Sequence, residues 1–145
     1  MQDVDVFFIV WLTLGVFIFI TLYIRGRKAM SIFPDIDSVQ VNYRDKTASG
    51  YSTKSRITKM GGANKVLDVV VTDKELWLKS MLLFASIGDQ YDLLHKIALS
   101  DISGINRQGK KITVDFRTEN TESKQVVIIT KKPDDFLNAL KKYKN

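Results

Sequence analysis

The chain has no cysteine and only one histidine, His95, among its 145 residues. The first absence excludes disulfides, thiolate nucleophiles and cysteine-ligated metals; the second excludes a histidine-rich metal site. An all-carboxylate metal site has no EF-hand-like spacing to carry it. Nothing matches Gly-x-Ser-x-Gly, and Gly61-Gly62 is not followed by the Lys-Ser/Thr of a phosphate-cradling loop. No catalytic residue, metal or cofactor is therefore expected. His95 follows Asp92 by three residues in an alternating stretch. General acid or base work needs a partner within hydrogen-bond reach and a shaped cleft, so a structural or exposed histidine is the expectation, and a small hydrolase or transferase using His95 is the competing reading.

Charge is also missing from one long stretch. Val6–Ile24, VFFIVWLTLGVFIFITLYI, runs 19 residues without a charged side chain. As a helix it would span roughly 28 Å, close to the hydrocarbon thickness of a bilayer. Its β-branched and aromatic residues disfavour an isolated helix, but in lipid every backbone amide must be satisfied within its own segment. A cleaved signal would want a basic leader, a shorter apolar run and a small-residue cleavage site. Here Asp3 and Asp5 precede the run and Arg25, Arg27 and Lys28 follow it. The expectation is a single uncleaved span in the cell (inner or plasma) membrane, N-terminus outside and the C-terminal bulk cytoplasmic. Gly15 has no small residue four positions away, so a Gly-x-x-x-Gly helix pair is not indicated.

All 22 Lys and Arg lie beyond the run, against 14 of the 16 acids, so that part carries +8. Anionic headgroups would attract such a surface. The basic residues are scattered and accompany no nucleic-acid motif, so nucleic acid is not an expected partner.

The organisation read from the pattern is an anchor at 1–28, a juxtamembrane linker at 29–38 containing Pro34, and one domain at 39–145. Val39, Val41 and Tyr43 alternate with polar residues as in a half-buried strand. Arg44 to Gly50 reads as a polar loop, and Tyr51 to Met60 as a weaker strand or short helix. Lys65–Ser80 holds two strands meeting at Asp73-Lys74, with Leu67, Val69 and Val71 on one face and Leu76 and Leu78 on another; Trp77 beside them suits packing. Met81-Leu82-Leu83-Phe84-Ala85-Ser86-Ile87 reads as an apolar loop. Further strands follow at Leu94–Leu99, Ile112–Phe116 and Val126–Ile129, with a hairpin turn at Gln108-Gly109-Lys110. Pro133-Asp134-Asp135 opens a helix whose Phe136, Leu137, Leu140 and Tyr143 share a face, and Lys141, Lys142 and Lys144 suit its C-terminal end.

Serial antiparallel strands closed by one amphipathic C-terminal helix describe a mainly β (α+β) fold: a bent antiparallel sheet or barrel on the pleckstrin-homology-like plan. Ser49-Gly50-Tyr51-Ser52-Thr53, Gly61-Gly62-Ala63-Asn64, Val70-Val71-Thr72-Asp73-Lys74-Glu75-Leu76-Trp77 and Leu94-His95-Lys96-Ile97-Ala98-Leu99-Ser100 resemble patterns in small bacterial proteins with GRAM or pleckstrin-homology-like domains. The resemblance spans Val39 to Leu140. It implies a membrane-associated binding or scaffolding module rather than an enzyme; because the span would already supply membrane residence, a protein partner is the expected ligand. Phosphoinositide-binding members place basic residues on their first hairpin, and Lys54-Ser55-Arg56 resembles the Lys-x-Arg part of that pattern. Arg44, Lys46, Lys54, Arg56 and Lys59 are thus the candidate ligand-binding set, with a sensor of anionic lipid headgroups as the alternative function. Met81, Leu82, Leu83, Phe84 and Ile87 are a second candidate contact, for a partner or the membrane interface.

Overall fold

The computed structural model of the chain describes residues 2–142, with side chains from Asp5 onward; Tyr143 and Lys144 lie outside the described residues. Helix α1 (Gln2–Met30) contains the whole uncharged run and continues through the basic cluster, placing Arg27 and Lys28 in its last turn. It is long and apolar enough to cross a membrane. From Val6 to Ile20 the run is exposed, Phe17 at mid-helix by 68%, and only Thr21 and Leu22 near its end are half-buried. Thr13 and Thr21 donate their hydroxyls to the carbonyls of Ile9 and Phe17 at 2.7 and 2.8 Å, so their polarity is satisfied inside the helix.

Seven strands form one antiparallel sheet in the order β4-β3-β2-β1-β7-β6-β5. They are β1 (Val41–Ser52), β2 (Ala63–Thr72), β3 (Glu75–Ser80), β4 (His95–Ala98), β5 (Ile102–Gln108), β6 (Lys111–Arg117) and β7 (Ser123–Ile129). Strand β1 is the shared member. It pairs with β2 from Val41↔Thr72 to Gly50↔Ala63, and its end pairs on the other side with β7 from Ser49↔Ile129 to Ser52↔Val126. Register shifts at Val41/Tyr43, Asp45/Ala48 and Ala48/Gly50 give β1 the bend that lets one strand serve both halves. Helix α4 (Pro133–Lys142) closes the fold, burying Phe136, Leu137, Ala139 and Leu140. These meet Leu67, Val69, Val71, Leu76, Leu78, Ile112, Val114, Phe116, Val126 and Ile128 in one core. Two antiparallel meanders joined through β1 and capped by a C-terminal helix form the pleckstrin-homology-like α+β plan expected from the pattern.

The hairpins also match their turn chemistry. Asp73 and Lys74 join β2 to β3, and the Thr72 hydroxyl accepts from the amides of Lys74 and Glu75. Gly109, between β5 and β6, has φ +62°, a left-handed conformation suited to glycine.

Two local expectations require correction, and a third, at Tyr51–Met60, is made specific. Arg44 to Gly50 is not a loop but the middle of β1; the polar residues that suggested a loop include Asp45, which is buried with its hydrogen bonds met from within the fold. Tyr51–Met60 divides between the end of β1 and a short helix, α2 (Arg56–Met60). Ser55 caps α2 by accepting from the Thr58 amide at 3.1 Å, and the Thr58 hydroxyl accepts from the Ser55 amide at 2.8 Å. The supposed apolar loop is a helix, α3 (Leu82–Gln90), stabilised by packing on α1 rather than by a side-chain cap.

Between α1 and β1 the chain turns at Ser31, whose hydroxyl donates to the Lys28 carbonyl at 2.7 Å. The Phe33 ring then settles 6.0 Å from Trp77 on the outer face of the sheet. Asp35 caps a single 3-10 turn, Ile36–Ser38, before β1 begins.

Candidate membrane-proximal binding surface

The five basic residues singled out by sequence do not form one loop. Arg44 and Lys46 are exposed on β1, and Arg44 is already engaged: its Nε and Nη2 donate to the Asp68 carboxylate at 3.0 and 2.7 Å. That two-pronged pairing holds the guanidinium pKa above its ordinary value. Lys79 lies 3.8 Å from the same carboxylate and 5.6 Å from the Trp77 ring centroid; burial pushes its pKa down, with Asp68 opposing. Arg44 thus belongs to a sheet-surface cluster.

Lys54, Arg56 and Lys59 lie elsewhere, just beyond β1 and on α2. None of the three forms an ion pair among the described residues. Beside them on α2 stand two bare apolar side chains, Ile57 at 73% and Met60 at 89% exposure. Past α2 the chain meets the end of α3, where Gly61 abuts the Tyr91 ring so closely that a Cβ would lie 1.9 Å from a ring carbon. A small apolar crevice of about 120 Å³ lies here, with Phe84, Ile87 and Tyr91 on one side and Gly61 and Gly62 on the other.

Helix α3 joins this region to α1. Ala85 and Ser86 are buried, whereas Met81, Leu83, Phe84 and Ile87 are exposed and Leu82 is half-buried. The contact is tightest at Gly26, where an added Cβ would lie 2.1 Å from the Leu82 carbonyl oxygen and 3.8 Å from the Ala85 Cβ. Thr21 and Leu22, in the last turns of the apolar run, are half-buried too. The apolar candidate residues therefore sit beside the basic exit of α1, a placement their spacing in sequence could not reveal.

His95 serves a different cluster. Its Nε2 is 2.7 Å from the Asp92 carbonyl oxygen and 3.5 Å from the Asp92 carboxylate, and its ring meets Phe116 edge-on at 5.1 Å. Asp92, at φ +54°, also accepts from Ser52 Oγ at 3.0 Å and Lys124 Nζ at 2.7 Å. Burial works to raise the Asp92 pKa, but Lys124, His95 and Ser52 outweigh it and hold the carboxylate below its usual range. Burial pushes the His95 imidazole down, with Asp92 opposing. Ser52 points its proton at Asp92 and not at His95, so the cluster lacks the nucleophile–base contact of acyl-transfer sites. It ties the end of β1 and the start of β7 to the turn before β4. Among the described residues no group of three or more His, Asp or Glu is placed to hold a metal.

A second buried network was not legible in the sequence. The Asp45 carboxylate accepts from the Thr47 amide at 2.9 Å, from Thr130 Oγ1 at 2.9 Å and from the Lys131 amide at 3.1 Å. Burial raises its pKa, but these donors prevail and leave it lowered. The Tyr43 hydroxyl joins the Thr130 hydroxyl, and the Tyr43 ring packs 5.4 Å from Phe136. Together they fasten β1 to the β7–α4 junction.

No protein-family model and no curated protein matches the chain. Solved structures similar to it include one described as a PH domain from TgAPH, at 12% identity and a TM-score of 0.38, with 87% of this chain and 88% of that one covered.

Proposed function

We propose that the chain is a membrane-tethered, non-enzymatic binding or scaffolding module. In this reading α1 crosses the bilayer once with its N-terminus outside. Arg25, Arg27 and Lys28 stay on the cytoplasmic side, and 39–145 is displayed there as the binding domain, with 29–38 joining the two. The observation that carries it is the contrast along α1: its apolar run is bare of protein from Val6 through Ile20, while Gly26, just past that run, is packed against α3. A bare apolar helix this long needs lipid around it. Tethering supplies membrane residence and a high local concentration, so the domain need not bind lipid tightly, and a protein partner is the favoured ligand. Protease protection of a C-terminally tagged chain in sealed inside-out and right-side-out vesicles tests the orientation; cleavage of the tag from the non-cytoplasmic side overturns it.

One observation favours a second reading, the anionic-lipid sensor. Among the described residues Lys54, Arg56 and Lys59 lie outside any ion pair, and they stand beside exposed Ile57 and Met60, a combination suited to a charged leaflet, where each basic group is worth about 1 kcal/mol. Co-sedimentation with phosphatidylglycerol vesicles tests it: neutralising those three residues should weaken binding, whereas Arg44→Gln should not. Equal loss from both changes would remove the reading.

A further inference from the structure

We infer that the seam between α1 and α3 is a binding site for the phosphodiester headgroup of a membrane lipid, an inference that rests on the tethered reading. A cleft of about 450 Å³ opens there, and its polar lining comprises Arg25, Lys28, Ser86, Asp89 and Gln90. Three observations converge on it.

The first is an orphan. Ser86 is 7% exposed, lines the cleft, and its hydroxyl has no hydrogen-bond partner. A serine in a helix ordinarily bonds the carbonyl four residues back. That group is Leu82 C=O, which is pressed against Gly26 of α1. A buried hydroxyl without a partner is costly, and rotation of the Ser86 side chain into the cleft it lines would let a phosphate oxygen satisfy it. The second is charge. Arg25 and Lys28 form no ion pair among the described residues. Two cations facing the single Asp89 carboxylate leave one unit of positive charge, the complement of a singly charged diester and a poorer match for doubly charged inorganic phosphate. The third is depth. Arg25 follows directly on Ile24, the last residue of the apolar run, and one residue of helix rises about 1.5 Å. The cleft mouth therefore lies in the headgroup layer when α1 spans the bilayer. Exposed Met81 and Phe84, at the start of α3, then face the acyl boundary beside it.

The test uses the full chain in dodecyl maltoside, which carries no phosphate. Its melting temperature is followed on titration with dihexanoyl-phosphatidylglycerol, with dihexanoylglycerol as the phosphate-free control and sodium phosphate at matched ionic strength. The phospholipid raises the melting temperature and the control does not. Ser86→Ala melts higher than wild type without lipid, because the orphan is gone, yet binds the phospholipid about tenfold more weakly, as loss of one hydrogen bond to a charged group implies. A residue with only a packing role would not move these two readouts in opposite directions. Arg25→Gln/Lys28→Gln loses the lipid response as well, which keeps the test open should Ser86→Ala fold poorly. An unchanged lipid response in both variants overturns the site. An equal response to sodium phosphate assigns the cleft to a free anion and overturns the headgroup. Carbonate extraction of the expressing membranes separates the two failures. A chain released by carbonate defeats the tethered reading itself, whereas one retained without a Ser86-dependent response defeats only the site.

Discussion

Gly26 of α1 touches the carbonyl of Leu82 at the start of α3, leaving no room for a side chain: a Cβ would lie 2.1 Å from that oxygen. Through this contact the end of the apolar helix and the sheet domain are held together. Gly26→Ala would gain about 1 kcal/mol of helix propensity, but it must push backbone aside, at about 1–3 kcal/mol. The expected outcome is separation of α1 from α3, seen as faster proteolysis at Met30–Asp35 in detergent with the core transition kept. Unchanged proteolysis would mean the contact is dispensable.

Stability should fall on mild acidification, and His95 should be the reason. Burial lowers its folded pKa, so as pH drops below about 6.5 the unfolded chain takes up the proton first. The stabilisation is complete above that value and declines beneath it. Urea midpoints at pH 7.5 and 5.5 should differ for wild type and converge for His95→Gln. A slope that survives the substitution assigns the effect to another group.

Thr130→Val removes a donor from Asp45 and the partner of Tyr43 at once. Leaving these buried groups short of partners should cost about 1–3 kcal/mol. Asp45, whose folded pKa is lowered, contributes stability above about pH 3.9 that is lost as pH falls through the folded value. With one donor gone that contribution shrinks, and acid unfolding should begin at higher pH. Circular dichroism against pH measures both effects.

Phe33 covers Trp77, which is fully buried although it faces outward from the core. In a Trp11→Phe background, which leaves Trp77 as the sole tryptophan, Phe33→Ala should shift its emission to the red. An unshifted spectrum would place the cover elsewhere, on Lys79 and its neighbours.

Periodicity made much of the sheet readable. Val69 and Val71, Leu76 and Leu78, and Ile112, Val114 and Phe116 alternate because one face meets a core and the other does not, and that constraint is local. Asp45 misled for the same reason: a carboxylate in a strand looks like a loop residue unless its donors, Thr130 and Lys131, are known, and they come from 85 and 86 residues away. Met81–Ile87 was readable as apolar but not as a helix, since its partner is Gly26, far back in the chain. The basic set was legible as charge only. Pairing with Asp68 takes Arg44 out of it, and that pairing depends on the β1–β2 register.

The sequence by itself determined the uncharged run, its basic exit, the strand periods and the amphipathic last helix, because each follows from nearest-neighbour chemistry and the two repeat periods of the backbone. Tertiary structure decided which of those pieces meet. It set α3 beside α1, left the Ser86 hydroxyl unpartnered in the seam, and drew Asp92, Ser52, Lys124 and His95 into one cluster. Such contacts join residues distant in the chain, and only the bend of β1 and the packing of the helices bring them within hydrogen-bonding reach.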